Sequence, residues 1–482
     1  MAINIMDLKE FPIYCWEAHY ASALVSYIGA VIFKLFGIGF VQIRSGMLIF
    51  SILAIIFMER IYEKLFGRMN AFLCVLFYIF CPYVILHHTM GAYGGYGELV
   101  FGMALVIYSS WRINEHVGRE GFGRVLFFSG FAAGFFLQII FLIIPVIIAF
   151  IFTSLYRRFE DIRWKGISVF TAGFIIGLSP LIVYNFLFPL KTFLRAGGRS
   201  LGVGRNAMIK PTAEIVLCAI QQKLAYLKWW VLHLPYNLST FLYPFQKPSP
   251  ISNMVGIFLI ASLLLFIIVA LRDKRNDIPR FYFRQFAFSV VLLFFFHWGV
   301  GLNHDRHFMP LLLVWPVILF YFKDIILKGR GLVLSLIPLF IIANVMGWNS
   351  EFRKSVFDPY PAAKFLSSNH LMNFYGSYDT TYSIMFASGG VLNGAPYLIP
   401  DGIVLRDRKI DITEKVRSSP EPAFIFADYE HNLEKIFIRY LADSHVEYFQ
   451  NNVGNATIFY RLNKKVNPYV KKEWETGFEI TE

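Results

Sequence analysis

Charge is scarce in this chain. Of its 482 residues only 16% are charged while 56% are hydrophobic, and the mean hydropathy is +0.53. Soluble globular domains carry about 25% charged residues, so that class is excluded for most of the sequence. Cysteine is scarcer still, with four residues. Cys74 and Cys81 fall inside apolar runs and read as packing residues, which leaves Cys15 and Cys218 as the pair that could share a compartment. There is no signal peptide with a basic start and a cleavage site, no internal repeat and no low-complexity tract. The net charge of +13 might suggest nucleic acid, but the basic residues sit in short loops between apolar runs, which excludes that partner.

What is present is a series of apolar runs near the length that crosses ~30 Å of hydrocarbon, about 20 residues each. Spans are expected at 41–59, 69–86, 96–111, 125–138, 140–156, 167–188, 251–271, 283–300, 308–322 and 331–347. The pair within 125–156 is short for two crossings, and Gly130 and Gly134 would let it pack closely. Basic residues concentrate in alternate loops: Arg60, Lys64 and Arg68; Arg112, Arg119 and Arg124; Arg157, Arg158, Arg163 and Lys165; Arg272 to Arg284; and Lys323, Lys328 and Arg330. Residues 87–97 hold no Lys or Arg, and 301–307 hold only Arg306. The asymmetry places the basic loops in the cytoplasm and puts 87–97, 189–250, 301–307 and everything after 348 outside.

The first forty residues stand apart. Carboxylates (Asp7, Glu10, Glu17), His19 and the aromatics Phe11, Tyr14, Trp16 and Tyr20 precede an apolar segment, 20–36, with Lys34 inside it. Two readings are open: an amphipathic interfacial helix with a polar tail, or a catalytic loop on the membrane face. A charge at the centre of a span costs roughly 2.5–3.5 kcal/mol, which counts against 20–36 as a crossing. The loop 189–250 is too long for a simple connector. Within it Arg195, Arg199 and Arg205 alternate with glycines in an anion-seeking segment, and Trp229-Trp230 marks an interfacial helix. From Glu351 the composition becomes that of a soluble domain. A helix is expected at Pro359 to Ser368, strands at Met372 to Tyr378 and Ala423 to Ala427, and a helix at His431 to Ala442. A hairpin of Val446 to Phe449 with Ala456 to Tyr460 completes it. The fold class is thus mainly α, a polytopic α-helical membrane protein (1–348) with a small extracytoplasmic α/β domain (349–482).

Several stretches in order carry a family resemblance. Glu10-Phe11-Pro12-Ile13-Tyr14, Tyr20, Leu24, Tyr27 and Phe33-Lys34-Leu35-Phe36-Gly37 resemble the first external loop of bacterial membrane glycosyltransferases of the GT-C superfamily. These are relatives of protein O-mannosyltransferases and aminoarabinose transferases. Ile43-Arg44-Ser45-Gly46 stands where the family has a Leu-Arg-Leu-Pro helix start. Gly91-Ala92-Tyr93-Gly94-Gly95-Tyr96-Gly97-Glu98 is similar to its glycine-tyrosine-acid loop, and Asp305-Arg306-His307-Phe308-Met309-Pro310 to its Arg-Tyr-Leu-Leu-Pro start of a late span. In the tail, Tyr375, Tyr378 and Tyr382 near Ser388-Gly389-Gly390 look like one bacterial branch. The resemblance implies an external active site, a polyprenyl-phosphate-linked sugar donor and an acidic base in the first external loop. It also implies a first transmembrane helix before that loop, whereas this sequence begins inside it. On this resemblance 1–40 is the external catalytic loop followed by a juxtamembrane helix.

Transfer from a polyprenyl phosphate needs donors or cations to hold the leaving phosphate and one base for the acceptor proton. Glu10 is the first candidate for that base from its place in the motif, Asp7 the second and Glu17 the third. Glu98, with Tyr93 and Tyr96, sits beside glycines that admit a ligand to the backbone. It reads as a metal or acceptor ligand, or equally as a helix N-terminal acid favoured by the dipole. Arg306, flanked by His304 and His307, is the candidate for the donor phosphate, the alternative being an Asp305–Arg306 ion pair. Two histidines without a third ligand are a weak metal signal, so a divalent metal is left open. His87 and His88 read as interfacial residues, and Arg195, Arg199 and Arg205 as holding phosphate or anionic headgroups.

The expected activity is therefore an inverting, multi-pass glycosyltransferase of the cytoplasmic (inner) membrane, of the hexosyltransferase type. It would act outside on a lipid, glycan or protein acceptor hydroxyl, with membrane lipids around it. The rivals are a transporter or flippase of lipid-linked glycans and an inactive truncated relative. Transporters tend to show inverted repeats and charges within broken helices, and neither is evident here.

Overall fold

The computed structural model describes residues 1–15, 18–91, 95–188, 192, 232–235, 238, 250–272, 278–300, 308–325, 330–352, 357–397, 410–472 and 475–480. A short helix α1 (Ala2–Met6) and a small hairpin of β1 (Tyr14–Cys15) and β2 (Ala18–Ser22) lead into α2 (Leu24–Phe36). Then come α3 (Phe40–Phe66), α4 (Arg68–Ile79), α5 (Tyr83–Met90), α6 (Tyr96–His116), α7 (Phe122–Ile139), α8 (Phe141–Arg157) and α9 (Phe159–Leu187). The bundle closes with α10 (Pro250–Arg272), α11 (Ile278–Val300), α12 (Leu311–Ile325) and α13 (Arg330–Phe352).

The segments expected to span are helical over most of their length. Among the described residues Phe40–Phe66, Phe122–Ile139, Phe159–Leu187 and Pro250–Arg272 are each long and apolar enough to cross a membrane alone. Two expected spans are not plain helices. The run 69–86 breaks after α4, and α5 turns 82° away from it, the geometry of a broken span or a re-entrant loop. Pro82 has no N–H to carry a helix through the break. The second, α8, opens as a 3₁₀ turn at Phe141–Ile143 and widens to a π-helix at Ile147–Phe152. The extra backbone length there meets Gln285 on α11, whose side-chain amide donates to the Phe150 carbonyl at 3.1 Å.

Close packing of the 125–156 region holds, but the partner is α9. A Cβ on Gly130 or Gly134 would run into the carbonyls of Phe170 and Phe174, and one on Gly173 or Gly177 into those of Phe127 and Phe131. Without side chains at these four positions the two backbones touch, as small-residue pairs do in lipid. α2 has 13 residues, about 20 Å at 1.5 Å per residue, too short for ~30 Å of hydrocarbon. It buries Val25, Gly29, Ala30 and Phe33 and leaves Val31, Leu35 and Phe36 exposed, as a helix bedded at a membrane surface would.

The basic residues of the described loops gather at one end of the bundle. Lys64 bonds Glu115 at 3.3 Å, the Arg157 guanidinium lies 4.2 Å from the Phe281 ring centre, and Asn114 donates to the Tyr282 hydroxyl at 3.3 Å. The C-terminal region sits at the other end, where Phe386 packs on Phe40 (ring centres 4.5 Å apart) and on Phe33 (5.8 Å).

That region contains α14 (Pro359–Ser368), β3 (Asn373–Gly376), α15 (Tyr378–Ala387), β4 (Asn393–Pro396), α16 (Ile410–Ser418), β5 (Ala423–Ala427), α17 (His431–Asp443), β6 (Phe449–Val453) and β7 (Ala456–Tyr460), with a separate pair β8 (Val466–Lys472) and β9 (Glu475–Ile480). The five-stranded sheet runs β4-β3-β5-β7-β6, parallel across β4, β3 and β5 and antiparallel beyond. β5 is buried on both faces. Phe424 and Phe426 join Phe437 and Phe459 on one side, and Ala423 and Ile425 join Phe374 and Ile458 on the other. The expected hairpin forms in a shifted register: the strand is Phe449–Val453 and not 446–449, so Val453 already pairs with Ala456.

Candidate functional site

The break between α4 and α5 shapes the end of the bundle that faces the C-terminal domain. Trp348, near the end of α13, stacks on Phe80 (5.9 Å, 12°) and its indole N–H donates to the Cys81 carbonyl at 2.9 Å. The Tyr78 hydroxyl bonds Ser51 at 3.3 Å, and Ser51 reaches the Met90 sulfur at 3.5 Å, so α3, α4 and α5 are tied together. α5 then runs back against the start of α6. A Cβ on Gly97 would stand 2.8 Å from the Thr89 carbonyl oxygen, inside any real contact, so the glycine is required for this approach. Aromatic rings line the turn in sequence: Tyr83 to His87 (5.6 Å), His87 to His88 (5.5 Å) and His88 to Tyr96 (5.5 Å).

Glu98 lies one turn into α6 behind this line. It is 0% exposed, and neither carboxylate oxygen has a hydrogen-bond partner among the described residues. Among the described residues the polar groups bearing on it are the backbone N–H groups of Gly95 and Glu98 itself, at the start of the helix. Burying an ionised carboxylate costs several kcal/mol when nothing compensates it. A helix N-terminus alone offers about 0.3–1 kcal/mol, so the capping role accounts for only part of that cost.

The N-terminal candidates are placed differently. Asp7 ends α1 and takes an ion pair from Lys9 at 2.7 Å on the exposed surface. Glu10 is half-buried and lies near Tyr27, whose hydroxyl is pushed up by burial and then by the Glu10 charge. Tyr14 packs edge-on against Tyr184 (4.7 Å, 74°), anchoring the small hairpin to the end of α9. Burial, then Tyr184, raises the Tyr14 hydroxyl well above its ordinary value.

Arg44, noted in the sequence as a helix start, gains a setting. Burial, then the Arg44 charge, lowers the His87 imidazole, while Asp379 of the C-terminal domain acts in the opposite sense. The domain thus contributes a carboxylate to the rim of the bundle, through the first turn of α15. Sequence reasoning missed Asp379. The available signal was a short strand ending in Gly376-Ser377 and an acid two residues on, which is how a capped helix begins. Ser377 is that cap, accepting from the Thr380 amide at 3.4 Å.

A second polar cluster sits at the carboxyl ends of β3, β4 and β5. The Ala427 amide and the Thr380 hydroxyl donate to Glu430 at 2.7 and 3.4 Å, and Thr380 also bonds the Tyr429 hydroxyl at 2.9 Å. Burial raises the Glu430 carboxyl, and the Ser377 hydroxyl, the Ala427 amide and the Tyr397 and Thr380 hydroxyls pull it part of the way back. Glu17, Tyr93, Arg195, Arg199, Arg205, His304, Arg306 and His307 lie outside the described residues. Among the described residues no three His, Cys, Asp or Glu side chains are grouped to hold a metal ion.

No protein-family model matches this sequence, and no curated protein does. Solved structures do. An oligosaccharyltransferase from Archaeoglobus fulgidus, in complex with Zn and sulfate, superposes with a TM-score of 0.51 at 11% identity, over 94% of this chain and 67% of that one. This is the GT-C membrane fold. Also similar are ArnT from Cupriavidus metallidurans bound to undecaprenyl phosphate (TM-score 0.47, 13% identity, 95% of this chain and 92% of that one) and AglB from A. fulgidus with an inhibitory peptide and a dolichol-phosphate (TM-score 0.45, 11% identity, 99% and 70%). At such identities the likeness is one of fold. With four described helices long and apolar enough to cross a membrane, the chain is an integral membrane protein with a small C-terminal α/β domain.

Proposed function

We propose that the chain is a glycosyltransferase that moves a sugar from a polyprenyl-phosphate carrier to an acceptor hydroxyl. The reaction takes place at the end of the GT-C bundle that carries the C-terminal domain, on the outer face of the cytoplasmic membrane. The observation that carries this reading is Glu98. A carboxylate sealed at that end without a side-chain partner among the described residues, behind a wall of Tyr96 and His88, is provision for a ligand. Support also comes from the solved structures of this fold, which are sugar-transferring enzymes by their names.

In the proposed step the acceptor oxygen attacks the anomeric carbon from the side opposite the phosphate. The carbon–oxygen bond to phosphate breaks, polyprenyl phosphate leaves with the electron pair, and the acceptor proton passes to a carboxylate. Inversion follows from the single displacement. Glu10 is the proposed base. Its half-buried place beside Tyr27 suits that task better than that of Asp7, which is committed to Lys9. Glu98 is assigned to the acceptor or to a divalent metal that orients it. Arg306 with His304 and His307 is assigned to the donor phosphate, and Arg195, Arg199 and Arg205 to the phosphate or nearby headgroups.

Purified protein given a radiolabelled polyprenyl-phosphate sugar should release label to an acceptor. Glu10→Gln should lower that release by about 10²–10⁴-fold, the usual worth of a general base, with expression unchanged. Full activity in Glu10→Gln would remove the base assignment. Passage of intact labelled lipid across the membrane without sugar release would favour a flippase.

A further inference from the structure

At the basic end of the bundle, away from the proposed active site, α8 and α9 leave a groove of about 350 Å³ between them. Phe152, Leu155, Tyr156, Ile167, Phe170 and Phe174 line it. Tyr156 is 85% exposed, so the groove opens at the surface of the bundle. On α9 the lining runs from Ile167 to Phe174, about 10 Å of helix, which fits within one leaflet of a ~30 Å hydrocarbon layer.

The segment that joins the two walls of the groove, between the lining residues Tyr156 and Ile167, is basic. Residues 157–165 hold Arg157, Arg158, Arg163 and Lys165 against Glu160 and Asp161. Arg158 pairs with Asp161 at 3.6 Å, yet its Nε is buried and has no partner among the described residues. Arg157 has no acidic partner there; it rests on the Phe281 ring at 4.2 Å. Burial, then the neighbouring charges of Arg158 and Arg284, makes the Arg157 guanidinium easier to deprotonate than usual. Trp164, 74% exposed and edge-on to Phe159 at 5.5 Å, stands beside them at the depth where aromatic rings meet headgroups.

We infer that this groove is a binding site for an anionic diacyl phospholipid, one acyl chain lying between α8 and α9 and the phosphate held by Arg157 and Arg158. The charge selects the lipid. Two guanidiniums with a single carboxylate between them welcome a phosphate diester carrying net negative charge, whereas a choline or ethanolamine head brings a cation into the same cluster. The apolar depth selects a lipid over a soluble phosphate, since inorganic phosphate leaves the groove unfilled.

The test is native mass spectrometry of the full chain titrated with phosphatidylglycerol and, separately, phosphatidylcholine of the same acyl chains. Wild type should retain phosphatidylglycerol at about tenfold lower concentration or better, the scale of two basic contacts. The double variant Arg157→Gln/Arg158→Gln should bring the two lipids to near equality. Thr171 also lines the groove, and Thr171→Trp, which fills it and spares the arginines, should lose phosphatidylglycerol retention while keeping the wild-type melting temperature in phosphatidylcholine. Equal retention of both lipids by wild type, an undiminished preference in the double variant, or displacement of the lipid by inorganic phosphate would each overturn the inference.

Discussion

Three glutamates are buried among the described residues, Glu430, Glu98 and Glu434, and the protein treats the first two in opposite ways. Glu430, 7% exposed in the C-terminal domain, receives the Ala427 amide and the Thr380 hydroxyl and is ringed by further hydroxyls. Glu98, 0% exposed in the bundle, receives no side-chain donor among the described residues. The cost of taking a carboxylate out of water is similar in both places. In the first it is met by groups of the chain itself, which fix the ends of three strands against a helix start. In the second it is left largely unmet, at the end of the bundle where Arg44, His87 and Asp379 converge. A polar group held at a cost and left unpaired is characteristic of a binding site; one held and paired belongs to the architecture.

The comparison can be sharpened or broken by substitution. The largest effect is expected at Glu98→Gln. Sugar transfer should fall by about 10²–10³-fold, the scale of losing one oriented polar contact to the reacting groups. The melting temperature should hold or rise, because an unpaired buried carboxylate is replaced by a neutral amide. Glu430→Ala should do the reverse. It should destabilise the C-terminal domain by about 1–3 kcal/mol, the cost of stranding buried donors, while the bundle keeps its own unfolding transition. Gly97→Ala should cost about 1–3 kcal/mol by forcing α5 from α6, and it should reduce transfer with it, since the added Cβ meets the Thr89 carbonyl.

The smallest effect is a pH dependence at Glu430. Its folded pKa is raised by burial, so the folded state holds the proton more tightly than the unfolded chain does. The stability contributed by this group is therefore fully present below the unfolded value of about 4.3 and is lost as the pH rises through the folded value. In denaturant titrations from about pH 4 to about pH 8, domain stability should fall less steeply for Glu430→Gln than for wild type.

The bundle was legible in the sequence because each crossing is a single apolar run, and a run needs no knowledge of its neighbours. Features that depend on pairing were not. Gly130 and Gly134 announced a close contact, but the matching Gly173 and Gly177 gain meaning only once α7 and α9 are side by side. The bend at Phe80–Pro82 hid inside an unbroken apolar stretch. In the C-terminal domain β5 was plain, being apolar throughout, whereas β4 reads Asn393-Gly394-Ala395-Pro396, residues poor in strand propensity. It is tolerated because β4 is an edge strand, where proline need not donate. The register of the final hairpin slipped for a related reason: β6 is an exposed polar edge strand with no apolar alternation to mark it. Glu98 was visible as a candidate with two readings, since no sequence shows whether an oxygen meets a donor. Glu430 and Asp379 were not visible, because their neighbours come from strand ends far apart in the chain.

The most direct measurement is the rate of label transfer from a polyprenyl-phosphate sugar by Glu98→Gln and Glu430→Gln side by side, each with its unfolding midpoint. The account predicts that Glu98→Gln loses transfer while remaining as stable as wild type, and that Glu430→Gln keeps transfer at a temperature where its domain is folded. Undiminished transfer in Glu98→Gln, or losses in both variants that merely follow their stabilities, would contradict it.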